Sequence, residues 1–348
     1  MARLAFASGA GERPVTSIDR QSQQHLAGVR RVLQSTTACP SCVPDGWSRT
    51  VEKAWKDHYL ADEKARLRAF ALKHREFMPA SSIQLERFGS GRILSSNKAV
   101  LRSSLLDFWE PTISCARESR IPLAVGDGPK WVCDPRAYPA PCTVLSVGSN
   151  YDASFEEGLN EAASCVSYIV DPTLTDLPRL EHFQKQIRRF AHLNMSVGLG
   201  PEGHVLPGDI KVPLVGLAKL LRDRYGAPPT RLSVLKIDIE SFELDVLPEL
   251  WRLCASGDLV LDQLNVEMHL VNVNRTEPLR VRDVFSVFAG ALQCGLALHH
   301  KEVNTFTADF NYINKLAEFS WMSLAHAKRS AMALTTMLHS NSRVSKPL

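Results

Sequence analysis

A chain of 348 residues with 45% hydrophobic, 22% charged and 7% aromatic side chains has room for one large α/β domain and an extension. Its formal net charge of +4 is weak, and basic clusters such as Arg30–Arg31 and Lys185 with Arg188–Arg189 read as solvated helix faces, whereas a nucleic-acid substrate asks for whole faces or runs of Lys and Arg. No stretch approaches the roughly 20 apolar residues that span a bilayer, the apolar start Met1–Ala7 is too short for a secretory signal, and eight cysteines are too few for a disulfide scaffold.

Residues 1–47 are rich in Ser, Gln, Thr and Arg and read as disordered or loosely packed. Cys39 and Cys42 form one CxxC without a second pair, so an inert loop pair or a disulfide is favoured over zinc. Residues 48–140 read as a helical and irregular extension or cap. Val51, Trp55 and Tyr59, then Leu67, Phe70 and His74, recur at helical spacing and predict a packing helix over Val51–Phe77. Residues 79–140 set Trp109, Cys115, Trp131 and Cys133 among Gly and Pro, and a bridge between Cys133 and Cys142 is one reading.

From residue 141 the order becomes regular. Thr143–Val147 is a short β-branched run ending at Gly148, which suits a buried strand. Ser154-Phe155-Glu156-Glu157 has the form of a capping box and predicts a helix start. Val166–Val170 reads as the second strand, and Leu180, Phe183, Ile187 and Phe190 as one helix face. Met195–Leu199 reads as the third strand, with a helix near Leu214–Leu221. Leu232–Asp238 is the clearest strand. A helix around Phe242–Leu247 follows, with Pro248 opening a further turn. Leu264–Met268 is a fifth strand; Val281, Val284, Phe288 and Leu292 mark another helix, which Gly295 ends. Leu296–His300 and Phe319–Leu324 form a closing pair of strands, and 326–348 is a tail. Alternating strands and helices over 141–325 predict an α/β domain, a parallel sheet with helices on both faces.

In such a sheet ligands bind beyond the carboxyl ends of the strands, at the switch point in strand order. That aims Ser146, Gly148, Ser149 and Asn150 at a ligand, with Gly148 allowing a tight turn. Asp171 ends the second strand and is placed to accept hydrogen bonds from the ribose of an adenosine-containing ligand. A nicotinamide or flavin site needs three glycines, and the segment after the first strand has Gly148 alone. Asp152, Glu156 and Glu157 place negative charge where a pyrophosphate would lie; a sulfonium compound meets no such repulsion.

Asp238 ends the fourth strand and is the first candidate for a general base or acceptor-orienting group, with Glu267 and His269 next and Glu240 nearby. Asn304 and Glu318 are candidates for the far side of the pocket, and His299–His300 reads as strand. Asp238, Glu267 and His269 are chemically able to hold a hard cation, yet no compact ligand spacing marks them, so no metal is assigned.

Val144–Asn150 with Ser154-Phe155-Glu156 resembles the first motif of the methyltransferase-like protein 24 group, and Gly128–Pro135 is similar to that group's K-W-V-C segment. Lys236-Ile237-Asp238-Ile239-Glu240-Ser241-Phe242-Glu243 resembles the K-I-D-x-E-G-x-E motif of FkbM-type methyltransferases, with Ser241 in place of the usual Gly. The resemblance spans roughly 125–325. It implies a class I methyltransferase with a Rossmann-like sheet and S-adenosyl-L-methionine as methyl donor. The acceptor expected is a small molecule or a glycan hydroxyl; a binding protein that keeps the fold without turnover is the alternative.

Overall fold

The computed structural model describes residues 109–123, 128–186, 190–198, 204–206, 210–270, 281–304 and 316–333, with residues 65 and 106 besides. The segment 1–47 with its Cys39–Cys42 pair and the tail beyond 333 lie outside these residues; so does the helix expected over Val51–Phe77, apart from residue 65, which is helical. The strands in chain order are β1 (Glu118–Ile121), β2 (Lys130–Cys133), β3 (Thr143–Val147), β4 (Val166–Val170), β5 (Phe190–Leu193), β6 (Ser196–Val197), β7 (His204–Leu206), β8 (Ile210–Val212), β9 (Leu214–Val215), β10 (Thr230–Ile237), β11 (Leu259–His269), β12 (Leu296–Val303) and β13 (Leu316–Ser323). The helices are α1 (Ser154–Ala163), α2 (Leu177–Gln186), α3 (Leu217–Tyr225), α4 (Glu243–Ser256) and α5 (Val281–Gln293), with residues 324–333 also helical.

Seven strands make one sheet in the order β12–β13–β11–β10–β3–β4–β5. β13 runs antiparallel to both its neighbours, and the other pairings are parallel. The chain winds outward from β3 in both directions, so the switch point lies between β3 and β10. Alternate residues of β3 and β10 feed opposite faces. Val144 and Val234 pack with Phe155 and Leu159 of α1, while Leu145, Val147, Leu235 and Ile237 pack with Leu217 and Leu221 of α3 and Leu247 of α4. Burying a side chain such as Phe155 or Leu159 contributes roughly 1.5–3 kcal/mol. On α5, Val284, Val287, Phe288, Ala291 and Leu292 form the buried stripe. Gly290 admits Trp251 of α4 so closely that a Cβ there would lie 2.2 Å from the indole. The orphan N–H groups at the start of α3 donate to Glu249 of α4, Leu217 at 2.6 Å and Ala218 at 3.3 Å.

Several element boundaries differ from the sequence reading. The third strand is Phe190–Leu193, so Phe190 belongs to β5 and not to the preceding helix. Ser196–Val197 pairs only with β9, in a separate two-stranded sheet. The Leu214–Val215 run is strand and α3 begins at Leu217. α4 runs unbroken through Pro248. The helix after β3 starts at Ser154 itself, with no side-chain cap from its N-cap Ala153; the Ser154 N–H donates instead to the Asp152 carboxylate at 2.9 Å. Cys133 pairs with Cys115, and Cys142 with Cys165, so the Cys133–Cys142 bridge is not formed. Gly295, at φ 68, ends α5 as its position suggests.

Candidate active site at the switch point

The turn after β3 is fixed by its neighbours. Gly148 has φ 89, and a Cβ there would lie 1.7 Å from the Asp238 carbonyl oxygen. The glycine is therefore required by the end of β10, which crosses against it, and any side chain would drive the two strand ends apart. Lys236 reinforces the junction, its Nζ donating to the Gly148 carbonyl at 2.8 Å. Ser146 is fully buried beneath the turn beside Glu156. The Glu156 carboxyl is buried, and that burial pushes it up against the pull of Lys236.

Asp171 lies at the tip of β4, next to this turn, and is only 3% exposed. One of its oxygens accepts from the Ser149 N–H at 2.7 Å, the Ser149 hydroxyl at 3.1 Å and the Asn150 N–H at 2.9 Å. The other accepts from the Thr173 N–H at 2.9 Å and the Thr173 hydroxyl at 2.6 Å. A carboxylate offers about four lone-pair positions, and five donors already converge on this one. Asp171 braces the turn through the three backbone N–H groups among these donors.

Across the switch point, Asp238, Glu267 and His269 come together from the ends of β10 and β11, with one ligand-type atom of each lying within 4.8 Å of the others. The face of β11 explains the gathering. Gln263, Asn265, Glu267 and His269 alternate with Leu264, Val266 and Met268, so one face of the strand is polar and the other feeds the core. The β1–β2 hairpin covers the polar face. Gln263 exchanges hydrogen bonds with the Cys133 backbone, and the Asn265 amide donates to the Trp131 carbonyl at 2.8 Å. Lys130, with a fully buried side chain, then reaches Asp238 at 3.4 Å and Glu267 at 3.2 Å and makes its closest contact with Glu318 of β13.

Burial alone would disfavour charge on Asp238, Lys130 and His269, and the opposite charges around each of them reverse it. Asp238 is held well below the usual carboxylate range, because Lys130, then Lys236 and His269, outweigh its desolvation. Lys130 is pushed well above the usual lysine range by Glu318, Asp238 and Glu267. Burial raises Glu318 against the pull of Lys130; a charged Lys130 is the firm direction for this pair, because two further carboxylates lie within 3.4 Å. Burial would lower His269, but the charge and hydrogen bond of Glu243, followed by Asp238 and Glu267, raise it to about 10. In that protonated form the imidazolium donates to its carboxylate neighbours, Glu243 first. Asp238 is the most open of the three carboxylates on Lys130, its side chain 22% exposed against 4% for Glu267 and 10% for Glu318.

The model of the family described as Methyltransferase domain matches residues 60–315, a span that takes in the β3 turn, β10 and β11. The chain belongs to this methyltransferase-domain family. Its sheet is the class I Rossmann-like methyltransferase sheet, with β13 as the antiparallel strand. No curated protein matches the chain. Among solved structures, fibrillarin of Methanococcus jannaschii, a pre-rRNA processing protein, shares 9% identity over 55% of this chain and 69% of its own, with a TM-score of 0.33. The N-methyltransferase NodS of Bradyrhizobium japonicum, in complex with S-adenosyl-L-homocysteine, shares 8% over 53% and 78%, with a TM-score of 0.32. A SAM-dependent methyltransferase of Aquifex aeolicus shares 14% over 53% and 82%, with a TM-score of 0.28.

In this methyltransferase domain the expected residues fall into two groups. Ser149, Asn150 and Asp171 form one hydrogen-bonded turn with Gly148, and Asp238, Glu267 and His269 form the cluster beside it. Glu318 and Asn304 join the cluster, Asn304 donating to Glu267 at 2.7 Å. His299 and His300 are strand residues of β12 that both contact Glu118, at 2.7 and 3.0 Å. Two residues with central positions were not named as candidates. Lys130 sits in the K-W-V-C segment, and Glu243, fully buried, accepts from Ile239 N–H at 3.0 Å and pairs with His269 at 2.9 Å. Among the described residues, no helix is long and apolar enough to cross a membrane.

Proposed function

We propose that this chain transfers a methyl group from S-adenosyl-L-methionine to a hydroxyl of a small molecule or glycan, in keeping with its resemblance to the methyltransferase-like protein 24 and FkbM-type groups. The observation that supports this best is the ionised, partly open Asp238 carboxylate standing against the Gly148 turn at the switch point. The residues present fit a cationic donor: Asp238 and the exposed Glu240 bring negative charge to the strand end. Gly148, Ser149 and Asn150 would hold the donor, with Asp171 acting through the turn that it braces. When bound, S-adenosyl-L-methionine supplies an electrophilic methyl group on a sulfonium centre.

The remaining work is positioning. Asp238 accepts the hydrogen bond of the acceptor hydroxyl and fixes one of its oxygen lone pairs toward the donor side. A carboxylate held so firmly ionised is a weak base, so it aligns the O–H bond, and the proton leaves the methylated oxygen for water once the C–O bond has formed. Glu267 and Lys130 keep it in place from behind. The test is methyl transfer from radiolabelled S-adenosyl-L-methionine to a panel of sugars, glycans and small hydroxyl compounds, run beside Asp238→Asn. Label on a hydroxyl, reduced on the order of a hundredfold by the substitution, is the expected result. Label found on amines alone, or an undiminished Asp238→Asn rate, contradicts the reading. Donor binding without transfer to any acceptor favours the non-catalytic alternative.

A further inference from the structure

We propose that Lys130 is the resident cation of this site: a positioning residue whose ammonium, held by Asp238, Glu267 and Glu318, supplies the positive charge that a divalent metal ion would otherwise bring to the Asp238–Glu267–His269 cluster. That the acceptor lies beside the cluster rests on the reading above; the cation assignment does not.

Asp238, Glu267 and His269 have the composition and spacing of a hard-cation site, with their ligand atoms within 4.8 Å of one another. Carboxylates brought this close repel and need a positive charge between or beside them. The hairpin delivers one from far away in sequence. Lys130 Nζ lies 3.4 Å from Asp238 Oδ2 and 3.2 Å from Glu267 Oε2, with Glu318 as its third carboxylate partner. Its side chain is 0% exposed, so bulk solvent screens the interaction little.

The ammonium is also held where it is. β2 is pinned to β11 at two positions, by the Asn265 bond to Trp131 and by the double exchange between Gln263 and Cys133. Cys133 is in turn bonded to Cys115. Glu318, the third carboxylate, keeps the Nζ among the strand ends.

Most of the donor atoms that a metal would need are engaged as well. Glu267 Oε2 faces Lys130 and Oε1 accepts from Asn304 at 2.7 Å. Asp238 Oδ2 faces Lys130, with Lys236 Nζ 3.9 Å away. His269 Nδ1 is held by Glu243, and its Nε2 lies 3.5 Å from Glu240 and 3.9 Å from Glu267. A dication entering here would stand beside one ammonium and close to a second. A fixed ammonium orients carboxylates without exchanging ligands, and it leaves the open Asp238 free to be aligned rather than coordinated. The K-W-V-C segment thereby gains a role in the site itself, beyond covering the sheet.

The test is manganese uptake by the full chain after chelator treatment and desalting, followed by electron paramagnetic resonance and calorimetry, with S-adenosyl-L-homocysteine titration as a separate measure of the donor site. The wild-type protein is expected to bind no Mn²⁺ at this cluster. Lys130→Ala, which vacates the space, is expected to bind Mn²⁺ at least about tenfold more tightly than the weakest binding the wild-type titration would detect, and Glu267→Gln added to it should abolish the gain. Lys130→Gln, closer in volume and uncharged, is the second variant; if neither folds alone, recovery of folding by Mn²⁺ supports the assignment and failure to recover counts against it. Wild-type Mn²⁺ binding that Glu267→Gln removes overturns the proposal. So does a folded Lys130→Ala protein that takes up no metal. Loss of S-adenosyl-L-homocysteine binding in the wild type would sink the functional reading and leave these metal results standing.

Discussion

Asp171→Ala removes the acceptor of five hydrogen bonds, three of them from backbone N–H groups, those of Ser149, Asn150 and Thr173. The two hydroxyl donors can turn to other partners, but the backbone groups cannot. Each buried donor left unpaired costs roughly 1–3 kcal/mol. Asn150 is exposed, so water reaches part of the turn, and the low end of that range is the better guide. The expected loss is therefore about 3 kcal/mol. Asp171→Asn keeps one accepting oxygen and serves one side of the turn only, for about half that loss. Denaturant titration of the three proteins measures it. Calorimetry with S-adenosyl-L-homocysteine and its 2′-deoxy analogue then separates bracing from direct contact. If Asp171 acts through the turn, the substitution weakens both ligands equally and the coupling in the double cycle is near zero. A coupling of about 1 kcal/mol or more, or an Asp171→Ala protein as stable as wild type that has lost the ligand, would refute the bracing role and return the carboxylate to the ribose.

Gly148→Ala should cost more than about 3 kcal/mol, because a Cβ 1.7 Å from the Asp238 carbonyl forces the ends of β3 and β10 apart; thermal melting and ligand titration should fall together. Ser241, buried at φ 84, occupies backbone space that favours glycine, so Ser241→Gly should stabilise the protein by about 1 kcal/mol in denaturant titration. The folded protein binds the His269 proton more tightly than the unfolded chain does, raising its pKa from 6.5 to about 10. Its stabilisation is therefore complete below pH 6.5 and is lost as pH rises through about 10, and His269→Gln should flatten the decline in denaturation midpoint across that window. Cys142→Ala with Cys165→Ala opens a loop with a sequence separation of 23 and should cost about 3 kcal/mol, with reductant reproducing much of the effect on the wild-type protein.

The sheet was legible because its strands are short apolar runs with little competing pattern: β3, β4 and β10 lie within a residue or two of their expected places. Phe190 misled because it continues the helical spacing of Leu180 and Phe183, and only pairing with β4 makes it strand. The Asp238–Glu267–His269 cluster was readable from strand ends alone. Lys130 was not, since a hairpin folded over the sheet brings it to partners 108 to 188 positions away, and no local spacing carries that distance. A signal for it did exist. The period-two run Gln263, Asn265, Glu267, His269 gives a central strand one polar face, and such a face needs a polar cover. Asp171 shows the opposite case: its position at the strand tip was foreseeable, while the five donors that occupy it depend on how the turn closes.

A crystal structure with S-adenosyl-L-homocysteine tests the central claim most directly. The account predicts the ligand seated at the switch point, with its sulfur between the Gly148 turn and the Asp238 carboxylate. A saturated crystal with that cleft empty, or with the ligand bound away from both residues, would contradict it.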